Sequence, residues 1–169
     1  GFRAKSATGV YMAGDNAWLA SLQLNRRGLV AQVLVECQLP RVVDPELLAS
    51  AELRTALARA LVDVGEECEI DFANVCFALD HNLVLLKRSE LVPGGDKAMR
   101  EHMQWEAEQF LDGGDEELSV DYLLASSWGF AVAARYSALD SYLDLGEEAG
   151  MGRVDVDVAS FALYNAGEA

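Results

Sequence analysis

The sequence predicts an α/β fold, on three observations. Short apolar runs separated by turn-forming residues open the chain. A stretch with helical spacing follows, and a nearly continuous apolar run, Ile70 to Leu79, comes next. Strand and helix patterns then alternate to the end, the order that lays helices on a sheet. The composition permits such a core: 169 residues, 51% of them hydrophobic, suffice for one domain or for two small ones sharing an interface.

Thr8 to Ala13 and Ala17 to Leu24 are short apolar segments separated by Gly14-Asp15-Asn16, a turn composition that makes a hairpin. Asn25-Arg26-Arg27-Gly28 turns the chain into a third strand, Leu29 to Leu39. Pro40 and Asp44-Pro45 break that strand and open a helix, with Asp44 as N-cap and Pro45 at the first helical position. Leu47, Leu48, Ala51, Leu53, Leu57, Leu61 and Val64 recur at helical spacing, and Gly65 is the expected stop. Ile70 to Leu79 reads as a strand covered by helices on both faces.

A second apolar run, Leu83 to Leu86, ends through Lys87-Arg88-Ser89-Glu90 at Pro93-Gly94-Gly95, and Asp96 caps a helix through Leu111. After a polar loop, Leu118 to Leu124 is a strand. Past Ser126-Ser127-Trp128-Gly129, Phe130 to Ala134 is another. The next helix, Ser137 to Ala149, turns Leu139, Tyr142, Leu143 and Leu145 inward and stops near Gly150. Val154 to Val158 alternates Val with Asp, a strand with one wet face. Three antiparallel strands, a helix and a buried strand form the ribonuclease-H-like plan of actin-fold half-domains.

Charge and cysteine usage exclude several classes of function. With 13 basic against 28 acidic residues, the net charge is −15, which repels phosphate backbones and anionic headgroups, so no nucleic-acid partner is expected. No apolar run reaches the roughly 18 to 20 residues that span a bilayer, and Gly1 to Ser6 lacks the apolar core of a signal peptide. A cytoplasmic address without membrane insertion is expected. Cys37, Cys68 and Cys76 match no zinc or redox spacing and read as buried thiols. His81 and His102 stand apart from each other and from any Cys pair, so no metal site is expected.

Other conspicuous side chains also have structural readings. Glu106 and Glu108, two apart on a helix, point in different directions and make a poor acid/base pair. Trp105 reads as core. Asp121, Asp155 and Asp157 read as a solvated face rather than a cation site, and Ser126 and Ser127 lack a nucleophile-elbow setting.

The C-terminal third carries a more specific signal. Met103-Gln104-Trp105-Glu106-Ala107-Glu108 is followed by Val120-Asp121-Tyr122, then by Phe130-Ala131-Val132-Ala133-Ala134-Arg135, and finally by Val154 to Asn165, which contains Val154-Asp155-Val156 and Phe161-Ala162-Leu163. This succession resembles the PilM-like family, the cytoplasmic actin-fold proteins of type IV pilus assembly. The resemblance implies an actin-like, ribonuclease-H-like first core subdomain, residues 1–80 and 153–169, interrupted by a small α+β subdomain, residues 81–152, with the second lobe absent. It also implies a cytoplasmic scaffold that captures the N-terminal tail of a bitopic PilN-like inner-membrane protein. The groove for that tail would be bordered by Leu79, Leu83, Leu85, Val156, Val158 and Phe161.

Nucleotide-binding members of the family begin with a phosphate loop resembling G-(I/V)-D-I-G-S-S-S-V-K, whose acid organises a metal and whose small residues admit phosphates to backbone N–H groups. Here Gly9 to Trp18 reads Gly-Val-Tyr-Met-Ala-Gly-Asp-Asn-Ala-Trp. Tyr11 replaces the acid, Ala13 the tight-turn glycine and Trp18 the lysine, while Gly14-Asp15 reads as an Asx-type turn. Impaired or absent ATP binding, with no cofactor, is therefore expected, as in the MshI-like branch of the family. The acidic surface suits basic contacts from the tail or a pilus motor ATPase, or serves solubility alone. Two alternatives stay open: the N-terminal lobe of an actin-like ATPase that needs its missing second lobe, and a small-molecule enzyme on the ribonuclease-H-like fold, for which Asp80 is the visible candidate acid.

Overall fold

The computed structural model describes residues 6–26, 28–43, 48–90, 93–110, 117–124 and 128–159, apart from the side chains of 89, 107, 108, 110 and 122–124. It divides into two compact units, Gly1–Asp80 with Asp140–Ala169, and His81–Leu139.

In the first unit, β1 (Ser6–Ala13), β2 (Asn16–Asn25), β3 (Gly28–Gln38), β4 (Asn74–Leu79) and β8 (Arg153–Val158) form a five-stranded sheet in the order β3-β2-β1-β4-β8. The first three strands are antiparallel, and β1, β4 and β8 run parallel, the ribonuclease-H-like plan expected from the sequence. Gly14-Asp15 closes the first hairpin in two residues. Gly14 takes φ 59 and Asp15 does not follow it to positive φ, the type II′ pattern that matches strand twist. Between β2 and β3 the register slips: Ser21 faces Val33 and Leu22 faces Ala31, so Gln32 bulges out.

One face of this sheet is the core. Thr8, Val10, Met12, Ala17, Leu19, Val75, Phe77 and Leu79 are buried on it. The helices α1 (Ala51–Glu67) and α3 (Tyr136–Glu148) are joined there. Tyr142 packs on Phe77 with ring centroids 5.5 Å apart, and Arg54 lies 3.8 Å from Glu148, whose carboxylate also takes the Thr55 hydroxyl. The other face carries Tyr11, Trp18, Leu34, Ala78 and Asp157, and its strands alternate between the two environments. The expectation that helices cover β4 on both faces is therefore corrected among the described residues: Val75, Phe77 and Leu79 are buried, whereas Cys76 and Ala78 are half-buried.

Several element boundaries shift for identifiable reasons. The expected cap at Asp44 and Pro45 lies outside the described residues. Ser50 precedes α1 without a side-chain cap bond, and Arg54 instead donates to the carbonyls of Leu48 and Ala49 at 3.1 and 2.9 Å. Gly65 does not stop the helix, which runs on to Glu67. Its missing side chain makes room for the Phe72 ring, and the chain turns at Glu69, φ 55, with Ile70 N–H on the Gly65 carbonyl. Ile70 to Ala73 is not paired strand either. Asp71 accepts the Ser6 hydroxyl at 2.7 Å and the Ala73 N–H at 2.9 Å, bonds that hold its carboxyl below the usual aspartate range. Leu143, expected inward, is 41% exposed, because α3 turns Ser141, Tyr142, Leu145 and Gly146 to the sheet.

The second unit is built on β5 (Val84–Glu90), α2 (Gly95–Phe110), β6 (Leu118–Leu124) and β7 (Trp128–Arg135), with sheet order β5-β7-β6. β5 runs through Lys87 to Glu90 because each of those residues finds a partner on β7. Met99 and Met103 of α2 pack on Ala131 and Val120, and Lys87 reaches Glu106 at 3.0 Å. Leu85, Lys87, Ala131 and Ala133 thus share the helix-covered face, while Leu86, Arg88, Phe130 and Val132 share the other.

At the entry to β8 the backbone of Gly152 lies close against that of Ala73. Gly152 donates to the Phe72 carbonyl at 2.9 Å and Arg153 to Ala73 at 2.8 Å, and a Cβ on Gly152 would stand 3.1 Å from the Ala73 carbonyl carbon and press harder on its oxygen. Backbone cannot yield as a side chain does. Gly152→Ala is expected to destabilise the protein by about 2 kcal/mol, read as a lower urea midpoint at unchanged slope; an unshifted midpoint would show that β8 can move off β4 freely.

Candidate functional site

In open α/β sheets, ligands bind outside the carboxyl ends of the parallel strands. Those ends here are Ala13, Leu79 and Val158, and the residues read from the sequence as a phosphate loop gather beside them. Tyr11 lies opposite Ala78 on β4, and its hydroxyl donates to Asp80 at 2.6 Å. Trp18, opposite Tyr11 on β2, stacks on the same ring with centroids 5.6 Å apart and planes 28° apart. Tyr11 thus links the strand pair of the hairpin to the residue that follows β4.

The turn itself is tied down. The carbonyls of Gly14 and Asp15 accept the N–H groups of Val43 and Leu39, each at 2.7 Å. The Asp15 carboxylate takes the side-chain amides of Asn16 and Gln38 at 3.2 and 3.4 Å. Ala13 ends β1 in a closed pair with Asn16, so the loop is a two-residue reversal rather than an extended backbone cradle.

Electrostatics at this end are acidic. The Asp80 hydrogen bond, followed by burial and the Asp80 charge, raises Tyr11 above the ordinary tyrosine value of 10.0. Burial first, then Asp80 and Tyr11, pushes Tyr142 up to about 12. Beyond the aromatic pair, the open sheet face forms a concavity of about 550 Å³ lined by Gly9, Tyr11, Trp18, Ala20, Leu34 and Glu36. Its walls are almost wholly apolar.

The other residues singled out by sequence are scattered. Leu79 and Val158 pair with each other on the core face, 1% and 6% exposed, and have no surface to offer a ligand. Val156 lies between them and Val154 on the same face. Leu83 ends a short 3₁₀ turn, His81–Leu83, and Leu85 is half-buried on the face of the second sheet that α2 covers; Phe161 lies outside the described residues. Asp155 and Asp157 sit on the first sheet and Asp121 on the second, and Arg153 bonds Asp155 at 3.1 Å. Among the described residues, no three His, Cys, Asp or Glu side chains gather as a metal site would require.

Two readings are corrected, those of Trp105 and of the cysteines, while Glu106 keeps its structural reading. Trp105 is not core: it is 58% exposed and stacks on His102 at 6.5 Å. Glu106 serves Lys87 at 3.0 Å and His102 at 3.6 Å, a structural ion pair. The cysteines are free and half-buried rather than buried, with burial raising the Cys37 and Cys76 thiols. Sequence reasoning missed the Tyr11–Asp80 bond. Its signal was present, since an aromatic hydroxyl on one parallel strand and a carboxylate just past the neighbouring strand reach the same end of the sheet.

No protein-family model matches the sequence, and no curated protein matches it. Solved structures do. The chain superposes on a PilM-PilN type IV pilus biogenesis complex with a TM-score of 0.77 and 22% identity, covering 98% of this chain and 51% of that one. It superposes on the cytoplasmic domain of EpsL, an inner membrane component of the type II secretion system of Vibrio cholerae, with a TM-score of 0.58 and 13% identity, covering 90% of this chain and 57% of that one. The chain therefore has the actin-like fold of these proteins and spans about half their length.

The Tyr11–Asp80 bond has a pH signature. A phenol whose pKa is raised contributes its full stabilisation below the unfolded value, about 10, and loses it as pH rises through the folded value. In ultraviolet titration, the difference between the wild-type protein and Tyr11→Phe should show one phenol ionising above 10. Asp80→Ala should bring that phenol down. An unshifted phenol in both backgrounds would remove the bond.

Proposed function

We propose that this chain is a scaffold of a type IV pilus or related secretion platform, cytoplasmic and held at the inner membrane through a partner. That partner is the short N-terminal tail of a bitopic PilN-like protein. The superposition over 98% of the chain on the PilM-PilN complex carries this reading, and the likeness to EpsL, from another secretion platform, supports the same setting. No helix among the described residues is long and apolar enough to cross a membrane, consistent with attachment through a partner. A short tail docked by main-chain bonds and side-chain pockets is a common peptide-recognition mode.

The scaffold works without nucleotide. At the end of the parallel strands, an aromatic pair and a carboxylate stand where a phosphate site would need small residues and a cation. The Gly14 and Asp15 carbonyls are already bonded to the segment after β3, which holds the turn closed. A polyphosphate placed there would meet the Asp80 charge without a neutralising lysine. In the same reading, residues 1–80 and 153–169 form the core subdomain and 81–152 the insertion, and a basic surface of the pilus motor ATPase is a second partner for the chain's −15 charge.

Isothermal titration separates these claims. A synthetic tail of the PilN-like protein from the same source is expected to bind at micromolar concentration, and ATP with magnesium is expected to give no heat of binding at millimolar concentration. ATP binding would overturn the reading of Tyr11 and Trp18 and favour an actin-like ATPase lobe. Absence of tail binding would overturn the scaffold reading.

A further inference from the structure

The first sheet has two edges, and their chemistry differs. β8 carries three charged residues in six, Arg153, Asp155 and Asp157, the kind of edge that resists pairing with another strand. β3 is eleven residues long, contains no proline, and has Glu36 as its single charge, in a chain with 28 acidic and 13 basic residues. Among the described residues it pairs with β2 on one side alone. Leu29, Val30 and Leu34 stand 63%, 39% and 75% exposed along it. The bulge at Gln32 places Leu29 and Leu34 on one face despite their odd separation, since they lie opposite Leu24 and Ala20 of β2.

Charge along this edge is polarised. Arg26, exposed, precedes the strand, and Glu36 stands near its end. A second copy of the same strand laid antiparallel brings unlike ends together; a parallel copy would bring like ends together. A two-fold axis near Ala31 sets Leu29 and Val30 of one copy beside Val33 and Leu34 of the other and brings Arg26 within reach of Glu36.

We propose that β3 is a self-association edge through which two copies of this chain pair antiparallel, extending the five-stranded sheet across a two-fold axis. Such an interface is isologous, so one strand supplies both halves. Main-chain bonds hold it together, and the exposed leucines close over it. Each copy carries a net charge of −15, so general repulsion opposes pairing and salt screens it. The dimer is therefore expected to strengthen as sodium chloride rises from 0.05 to 0.5 M, the reverse of an association driven by surface ion pairs.

Sedimentation velocity over a concentration series at both salts tests the proposal on the whole chain. Wild type is expected to dimerise, and Leu34→Asp to weaken the dimer at least about tenfold, with the far-UV circular dichroism of wild type and, at concentrations where both are monomeric, its urea midpoint. Leu29→Asp, on the other arm of the strand, is a second probe should Leu34→Asp perturb folding. Glu36→Arg is expected to weaken pairing and the double variant Arg26→Glu/Glu36→Arg to restore it. A monomer at every concentration and salt, or a dimer indifferent to both leucine variants, overturns the proposal. Failure of the double variant to restore pairing overturns the antiparallel arrangement.

Discussion

The parallel pairing of β1 with β4 is the interaction on which the first unit depends. It joins residues more than sixty positions apart, from Thr8 beside Val75 to Tyr11 beside Ala78. The chain must spend α1 as a crossover to make it, as parallel neighbours require. Polar bonds at its entrance fix the register: the Thr8 hydroxyl reaches the Asp71 carbonyl at 2.8 Å, Ser6 reaches the Asp71 carboxylate, and Asn74 reaches the Ser6 carbonyl at 3.3 Å. Once β4 is seated, β8 has an edge to join, α3 has Phe77 to cover, and Asp80 arrives opposite Tyr11.

That placement turns a sheet into a site of definite character. Aromatic rings and a carboxylate converge at the end of the sheet where ligands of α/β proteins collect, and the turn beside them is closed by its own backbone bonds. On the proposed scaffold reading, a surface of this kind suits apolar and cationic groups better than polyphosphate. The chemistry of the candidate site and the overall charge of the chain point the same way.

Much of this was legible in the sequence because it rests on local rules. Gly14-Asp15 announces a two-residue hairpin, alternation of Val with Asp announces β8, and β6 begins and ends where its apolar run does. What was not legible depends on who the neighbour is. Leu143 and Ser141 differ in hydropathy in the direction opposite to their burial, because Gly146 lets α3 approach Val154 and Phe77 and so decides which stripe faces the sheet. Trp105 has core chemistry, but Met99 and Met103 define the buried stripe of α2. Leu79 and Val158 entered the expected groove through the family resemblance, and their pairing in the core became visible only with the strand register.

The first unit is discontinuous in sequence, and this matters while the chain is being made. β4 is complete by Leu79, yet the strand that covers its far edge begins at Arg153, with the whole second unit synthesised between them. At translation rates of about 5–20 residues per second, the interval is about 4–15 s. During that time a nascent sheet holds an open apolar edge on β4, and the early folding of the intervening unit, by shortening the distance the chain must search, becomes a safeguard against its capture by other strands.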